Sequence, residues 1–161
     1  NKNKKEKGKT APAIPKAVQS YLSDTSSFSP EWSGSILRML PESARDASPL
    51  LREHLRILSA GICIGETKGK DFIPAEELAL STALCPEAFP VADLDWDDAI
   101  RYLKKEALLL PAGTEKGYVL VRYKKFPLGF TKHLGNRANN LYPQEWRIRT
   151  GYVPEQVKTF G

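Results

Sequence analysis

The spacing of hydrophobic positions changes along the chain, and these changes predict where its helices and strands lie. After Pro15, apolar side chains recur at helical spacing over residues 16–24, which is typical of a short helix. Residues 117–123 alternate between two sets of side chains, which predicts a strand in a sheet with two distinct faces. Residues 127–134 are expected to be its hairpin partner, and residues 142–153 a final edge strand.

The first half of the chain shows shorter apolar segments separated by turn residues. Residues 36–40 form one apolar element between turns, and residues 55–64 are β-prone. The sequence GETKGKD (65–71) predicts a hairpin turn. Residues 75–84 predict a short helix with acids in its first turn. The first half of the chain is therefore predicted to be a small unit that contains both helices and strands.

A break in periodicity at residues 85–90, which hold two prolines, suggests a domain boundary. Beyond it, Asp95 is placed to cap a helix that begins at residue 96. A helix capping several short strands fits a small, partly open β barrel. The predicted class is α+β: a small α/β N-terminal domain followed by this barrel. The predicted divisions are a flexible basic tail (1–14), a small linking domain (15–86) and a second domain (87–161).

Composition is ordinary for a globular protein, but the charge is segregated. The 161 residues are 41% hydrophobic and 27% charged, with a net charge of +5. Residues 1–10 carry +4 and residues 116–149 carry +7, which leaves residues 11–115 at −6. A segregated basic segment indicates a polyanionic partner, and a phosphate backbone is the commonest one.

Several chemistries are not visible in the sequence. The glycines of residues 61–71 miss the phosphate-loop spacing, and no glycine-rich dinucleotide or methyl-donor turn is present. Cys63 and Cys85 form no CxxC pair, and His54 and His133 have no recognisable partners, so neither a catalytic nor a metal site is predicted. No apolar run is long enough to span a membrane, and the lysine-rich N-terminus is not a secretory signal, which favours a cytoplasmic protein with reduced thiols.

The candidate binding chemistry lies in residues 126–147. Lys132 and Arg137 can contact phosphates, while amide side chains can bond base edges or ribose hydroxyls. The amides are those of Asn136, Asn139 and Asn140. Together with Gly129 and Gly135, these asparagines are expected to allow left-handed backbone and close approach to a ligand. The aromatic residues of the stretch could stack on bases or form the barrel core; they are Phe126, Phe130, Tyr142 and Trp146.

Residues 116–149 (KGYVLVRYKKFPLGFTKHLGNRANNLYPQEWRIR) carry a family resemblance. The pattern GYVLVRY, then PLGF-x-K, then GNR-x-NN-x-YP resembles the C-terminal PUA-like RNA-binding domain of bacterial RNA cytosine-C5 methyltransferases of the Sun type. Those enzymes make 5-methylcytosine in ribosomal RNA. Residues 55–84 are similar to the segment that precedes that domain.

The resemblance implies an RNA-binding accessory region of an S-adenosylmethionine-dependent enzyme. It implies that this chain holds no cofactor and is not an enzyme by itself, because the family binds its methyl donor and places its two cysteines in an upstream domain. Carried over by position, the implied RNA-binding residues are Lys132, Asn136, Arg137, Asn139, Asn140 and Arg147. It also favours the barrel core for Phe126, Phe130 and Trp146.

The expected partners are RNA, in particular ribosomal RNA, and the chain's own upstream methyltransferase domain, with no membrane involved. Because the sequence starts at Asn1, it is expected to be a fragment of a longer protein. The alternative function is a protein–protein or intramolecular docking module without direct RNA contact. A third reading is a free-standing RNA-binding protein.

Overall fold

A computed structural model describes residues 13–42 and 61–151, which form mainly β sheet with few helices. Most of the predicted tail, His54 and residues 55–60 lie outside the described residues. In chain order the elements are α1 (Lys16–Gln19), β1 (Phe28–Ser33), β2 (Ile36–Pro41), β3 (Ile62–Lys68), β4 (Asp71–Pro74), α2 (Glu76–Ala79), a 3-10 helix (Pro86–Ala88), β5 (Val91–Leu94), α3 (Trp96–Leu103), β6 (Gly117–Tyr123), β7 (Phe126–His133), β8 (Ala138–Asn140) and a second 3-10 helix (Gln144–Trp146).

Sheet 1 is an antiparallel meander in the order β1-β2-β3-β4. The apolar element predicted over 36–40 is β2, whose Leu37 and Met39 are buried. β1 lies where the sequence predicted a turn before residue 36, so that prediction is wrong for residues 28–33. The hairpin predicted over residues 65–71 is confirmed, since Lys68 pairs with Asp71 across a two-residue turn.

Sheet 2 has the order β5-β6-β7-β8. β5 and β6 are parallel and are joined through α3, while the other pairs are antiparallel hairpins. The predicted cap is confirmed, because the Asp95 carboxylate accepts a hydrogen bond from the Asp98 backbone N–H at 2.8 Å. The helix ends at Leu103 and is capped by Lys104, and the next residue, Lys105, has a left-handed backbone (φ 62°) at a position where glycine is common.

Both faces of sheet 2 carry buried residues. Val119 and Val121 belong to a cluster that includes Ala99 and Tyr102 of α3. Leu120, which points the other way, belongs to a larger cluster with residues of sheet 1 and α2. The two-faced strand predicted from the alternation of residues 117–123 is therefore confirmed. Sheet 2 is the middle layer of the described protein.

The segment between the two predicted domains contributes to this shared core. The Phe89 ring lies 4.5 Å from the ring of Tyr21 and 4.7 Å from that of Phe130, measured between centroids. Pro86 begins the first 3-10 helix and Pro90 directly precedes β5, and the Phe89 side chain between them is buried. The division at residues 86 and 87 stays a prediction, and hydrophobic contacts cross it.

The predicted final edge strand is wrong for the described residues up to 151. The strand that pairs with β7 is β8, which comes earlier, and residues 144–146 form a 3-10 helix. Pro143 cannot donate to a ladder, which disfavours a strand there. Among the described residues, β5 and β8 are the edge strands of sheet 2 and are not paired with each other, so the barrel geometry stays a prediction.

Candidate nucleic-acid interface

Lys132 lies in the middle of sheet 2, but its charge is paired with sheet 1. In the sheet its neighbours are Tyr118 on β6 and Asn139 on β8. Its Nζ lies 2.5 Å from Oδ2 of Asp71 and 5.1 Å from the centroid of the Tyr118 ring. The Tyr118 hydroxyl donates to the same carboxylate oxygen at 2.8 Å. These three side chains, here called the exposed junction, connect β4 to sheet 2.

The pKa shifts in the exposed junction all favour the ion pair. The hydrogen bond from Lys132, followed by that from Tyr118, holds the pKa of Asp71 below its usual value. Its hydrogen bond to Asp71 raises the pKa of Lys132. Burial, and then the bond to Asp71, raises the pKa of Tyr118 to about 12. Lys132 thus already has a counterion before any phosphate approaches.

The turn between β7 and β8, residues 134–137, is called the asparagine turn. It is closed by a hydrogen bond from the Leu134 N–H to the carbonyl of Arg137 at 2.8 Å. The side chains of Asn136 and Arg137 are exposed, as predicted for a binding turn. Gly135 (φ 105°) lets Lys116 pack against the backbone, since a Cβ there would lie 2.8 Å from Lys116 Cε.

Lys116 is a candidate that the sequence analysis did not single out. It is exposed and adds a second cation to the asparagine turn. The hairpin register could have indicated it, because Gly117 pairs with His133 and so places residue 116 beside the start of the turn.

Asn139 and Asn140 have different environments because successive strand residues point to opposite sides. Asn139 is exposed. The Asn140 amide donates to the carbonyls of Tyr102 and Glu106, both at 2.9 Å, and its oxygen accepts from the Tyr142 N–H at 2.9 Å. Asn140 therefore joins the end of α3 to the segment after β8. Its predicted contact with RNA would require these bonds to break.

Arg147 lies beside the end of α3. The N–H of its neighbour Ile148 donates to the carbonyl of Leu103 at 2.9 Å. With the Gln144 amide oxygen turned toward it, the Arg147 guanidinium donates to that oxygen from Nη1 at 2.6 Å. Arg147 is exposed and carries charge, but its described contact is with the second 3-10 helix.

The predicted aromatic core is only partly correct. Phe130 is fully buried, as expected. Phe126 is 75% exposed and Trp146 is 50% exposed, so the core prediction is wrong for both. Phe126 is exposed because it pairs with Tyr123 at the very end of the β6–β7 hairpin, beyond the reach of the core.

The prediction of left-handed backbone is correct for glycine but wrong for the asparagines. Among the described residues, the non-glycine positions with positive φ are Lys105, Lys124 and Lys125. Gly129 does allow a close approach, but the approaching groups are the Tyr102 hydroxyl and the Glu76 carboxyl. The space beside Gly129 that was predicted to admit a ligand is therefore occupied by side chains of the protein.

The turn between β6 and β7, residues 123–126, is called the lysine turn. Lys124 (φ 47°) and Lys125 (φ 71°) occupy its two central positions, and both side chains are exposed. Beside the turn, the rings of Trp96 and Tyr123 meet edge to face at 5.7 Å. A cleft of about 480 Å³ opens there, lined by Asp95, Trp96, Asp97, Tyr123 and Lys124. This turn was not among the predicted binding residues, although YKKF between two strands is visible in the sequence.

The described residues contain no cluster of metal ligands and no helix that could span a membrane. Within 13–42 and 61–151, no three His, Cys, Asp or Glu side chains are grouped to hold a metal ion. No helix in this part of the chain is long and apolar enough to cross a bilayer. Burial comes first among the causes that raise the pKa of the Cys63 thiol, which disfavours a nucleophilic role.

Comparison with known proteins first defines the class of this region. Residues 89–148, which run from the shared-core Phe89 to the segment after the second 3-10 helix, match a family model of a PUA domain. Its description is the PUA domain of methyltransferase RsmF. The predicted resemblance is confirmed, because this part of the chain is similar to the RsmF PUA domain.

Curated relatives agree with this assignment. Over 110 residues the chain is 32% identical to ribosomal RNA small subunit methyltransferase F of Shewanella baltica, in strains OS195, OS155 and OS185. The alignments cover 65% of this chain but 22% of each relative. The chain thus matches less than a quarter of the length of these relatives.

Proposed function

We propose that this region binds structured ribosomal RNA for an S-adenosylmethionine-dependent RNA 5-methylcytosine methyltransferase. The observation that supports this most directly is the asparagine turn, an exposed basic and amide-rich turn inside the segment that matches the RsmF PUA domain. Arg137 and Lys116 supply phosphate contacts, and Asn136 and Asn139 supply amides for base edges or ribose hydroxyls.

The packing of sheet 2 restricts how RNA can be held. Because buried residues lie on both faces of the sheet, neither face offers an open platform on which bases could stack. Contacts must then come from turns and from the exposed side of the edge strand β8. Lys132 can join them only by leaving Asp71, which makes it a secondary contact in this proposal.

We further propose that methyl transfer takes place in a different domain of the parent enzyme. The strand-to-helix connections after β4 and after β5 contain no glycine, and the second is rich in acids, so these residues do not fit a methyl-donor turn. The thiol chemistry of the family needs an activated cysteine, whereas the pKa of Cys63 is raised. In this proposal the chain grips RNA and the partner domain performs the reaction.

A direct binding measurement tests the proposal. The double variant Lys116→Glu/Arg137→Glu should lower affinity for a ribosomal RNA fragment by at least about tenfold and reduce the slope of log affinity against log salt by about 2. The matched control is Lys68→Glu/Lys70→Glu, which makes the same charge change on the exposed turn of sheet 1. Equal RNA affinity of the wild type and the double variant would refute the proposed interface.

The docking alternative has one observation in its favour. Leu80 is 58% exposed and Leu109 is 79% exposed, and both are large apolar side chains. Binding of the chain to the separately expressed methyltransferase domain, compared with its Leu80→Ser/Leu109→Ser variant, distinguishes the two functions. Docking predicts a loss of protein binding in this variant with RNA affinity unchanged.

A further inference from the structure

The lysine turn lies at the opposite end of β7 from the asparagine turn. β7 has eight residues, so the two turns are separated by about 25 Å at the rise per residue of a strand. The basic segment recognised in the sequence therefore forms two separate basic turns. The lysine turn carries three consecutive exposed side chains: Lys124, Lys125 and Phe126.

The backbone of the lysine turn is unusual for its residue types. Two-residue hairpin turns with positive φ at both central positions strongly prefer Asn-Gly or a similar pair. A lysine Cβ is disfavoured in this region, yet both central positions are lysines. The turn thus keeps two charges where uncharged residues would fit the backbone better. Such a conflict between local preference and observed residue is typical of functional positions.

The lysine turn also carries an exposed aromatic ring, that of Phe126. A phenylalanine that is 75% exposed beside two lysines combines a surface on which a base can stack with cations for the flanking phosphates. The neighbouring cleft suits a base rather than a phosphate, because Asp95 and Asp97 line it together with the two aromatic rings. Phosphate contacts are then confined to the lysines at the tip.

We propose that the lysine turn is a second RNA contact, at which an unpaired nucleotide stacks on Phe126 while Lys124 and Lys125 contact its phosphates. This rests on the proposed function and deepens it, because it specifies RNA with an unpaired segment. An RNA held at both turns spans the length of β7, and binding at one turn raises the effective concentration at the other.

The first experiment removes the two charges without opening the hairpin. Lys124→Asn/Lys125→Gly places residues suited to positive φ at both positions, so the variant keeps the turn. Measured by fluorescence anisotropy with a short RNA stem-loop, its affinity should fall about fivefold or more, and its salt slope should fall by about 1 to 2. A thermal melt no lower than that of the wild type verifies folding.

The second experiment tests stacking with a matched apolar control. Phe126→Ala should weaken binding of the stem-loop about tenfold but leave binding of the blunt duplex of the same stem unchanged, because only unpaired bases can stack. Leu109→Ala removes a side chain of similar exposure elsewhere on the surface and should change neither affinity.

The outcomes separate this inference from the function on which it rests. If the wild type binds neither RNA, both are refuted. If Lys116→Glu/Arg137→Glu weakens binding but the lysine-turn variants bind as the wild type does, only the second contact is refuted. If Phe126→Ala weakens stem-loop and duplex binding equally, stacking on an unpaired base is refuted.

Discussion

Among the described residues, two polar contacts between the halves of the chain each pair a carboxyl group with a tyrosine. In the exposed junction the pKa of Asp71 is lowered, because Lys132 and Tyr118 donate to its carboxylate. In the buried junction, formed by Glu76, Tyr102 and Gly129, burial raises the pKa of Glu76 to about 7. The same chemical groups thus favour opposite protonation states, and the difference lies in burial and in the presence of a cation.

The geometry of the buried junction also favours a protonated Glu76. The Tyr102 hydroxyl lies 3.2 Å from Oε2 of Glu76 and 3.1 Å from the carbonyl oxygen of Phe130. A hydroxyl has one hydrogen and can donate it to only one of these acceptors. If Glu76 is protonated it donates to Tyr102, which then donates to Phe130, and both contacts are satisfied.

The largest expected effect comes from filling the space at Gly129. A Cβ there would lie 2.0 Å from the Tyr102 hydroxyl and 2.2 Å from a Glu76 oxygen, at φ 153°. Gly129→Ala should lower the free energy of unfolding by about 4 kcal/mol, up to about 3 from overpacking and about 1 from the backbone. Urea unfolding measures this. Gly113→Ala, at φ 86° with nothing within 4 Å, should cost only about 1 kcal/mol.

The next effect is a dependence of stability on pH that originates in the buried junction. A pKa that is raised from 4.5 in the unfolded chain to about 7 in the folded protein means that Glu76 binds more protons when folded. Stability therefore falls as pH rises from about 4.5 to about 7, and the loss is complete above that range. Glu76→Gln has no such titration. Relative to the wild type, its free energy of unfolding should rise by up to about 3 kcal/mol between pH 4.5 and pH 8.

The assignment of this pH dependence to Glu76 requires that neighbouring groups do not titrate in the same pH range. Lys105 acts on Glu76 electrostatically. The pKa values of Tyr102 and Tyr142 are raised above that of an ordinary tyrosine, so neither tyrosine titrates between pH 4.5 and pH 8. Asp71→Asn serves as the control, because its pKa is shifted the other way. Parallel pH profiles for Glu76→Gln and the wild type would disprove the assignment.

The smallest stability effect is expected in the exposed junction. The side chains of Lys132 and Asp71 are 37% and 42% exposed, and ion pairs of this kind contribute little to folding. Lys132→Met keeps most of the apolar stem and should leave the urea midpoint within error of the wild type. A loss as large as that of Gly129→Ala would mean that the two junctions do not differ as described.

The exposed junction should instead influence RNA binding. Asp71→Asn releases Lys132 from its counterion, so affinity for the ribosomal RNA fragment should rise by about twofold to fivefold at low salt. Glu66→Gln removes an exposed acid from the same sheet and should change affinity less. The double variant Asp71→Asn/Lys132→Gln should return to the wild-type value. If it keeps the full gain, Lys132 is not the residue responsible.

The sequence predicted local features well because they depend on neighbouring residues. The alternation of residues 117–123, the Asp95 cap and the hairpin partner of β6 were all correct. The failures were of a different kind. Phe126 and Phe130 lie four residues apart in one strand, yet one is exposed and the other fully buried. Phe130 pairs with Leu120 and Phe126 with Tyr123, three positions further along β6, so a shift in the strand register turns the two rings toward opposite faces of the sheet. The spacing of the two residues in the sequence does not encode this shift.

The residues of the candidate site also differ in whether the local sequence or a distant partner determines their availability. Arg137 and Asn136 could be selected from the sequence because a glycine-containing turn exposes its side chains. Asn140 looked equivalent, but its amide bonds to Tyr102, 38 positions away. The availability of Lys132 depends on Asp71, which is 61 positions away.

The sequence by itself determined strands β6 and β7, the cap of α3, the concentration of positive charge in residues 116–149 and the resemblance of that segment to a PUA-like domain. Only the tertiary structure decided that this charge forms two turns at opposite ends of β7, and which cations already have a counterion. The physical reason is that strand period and turn preference depend on adjacent residues. Burial and ion pairing depend instead on groups that folding brings together from distant parts of the chain.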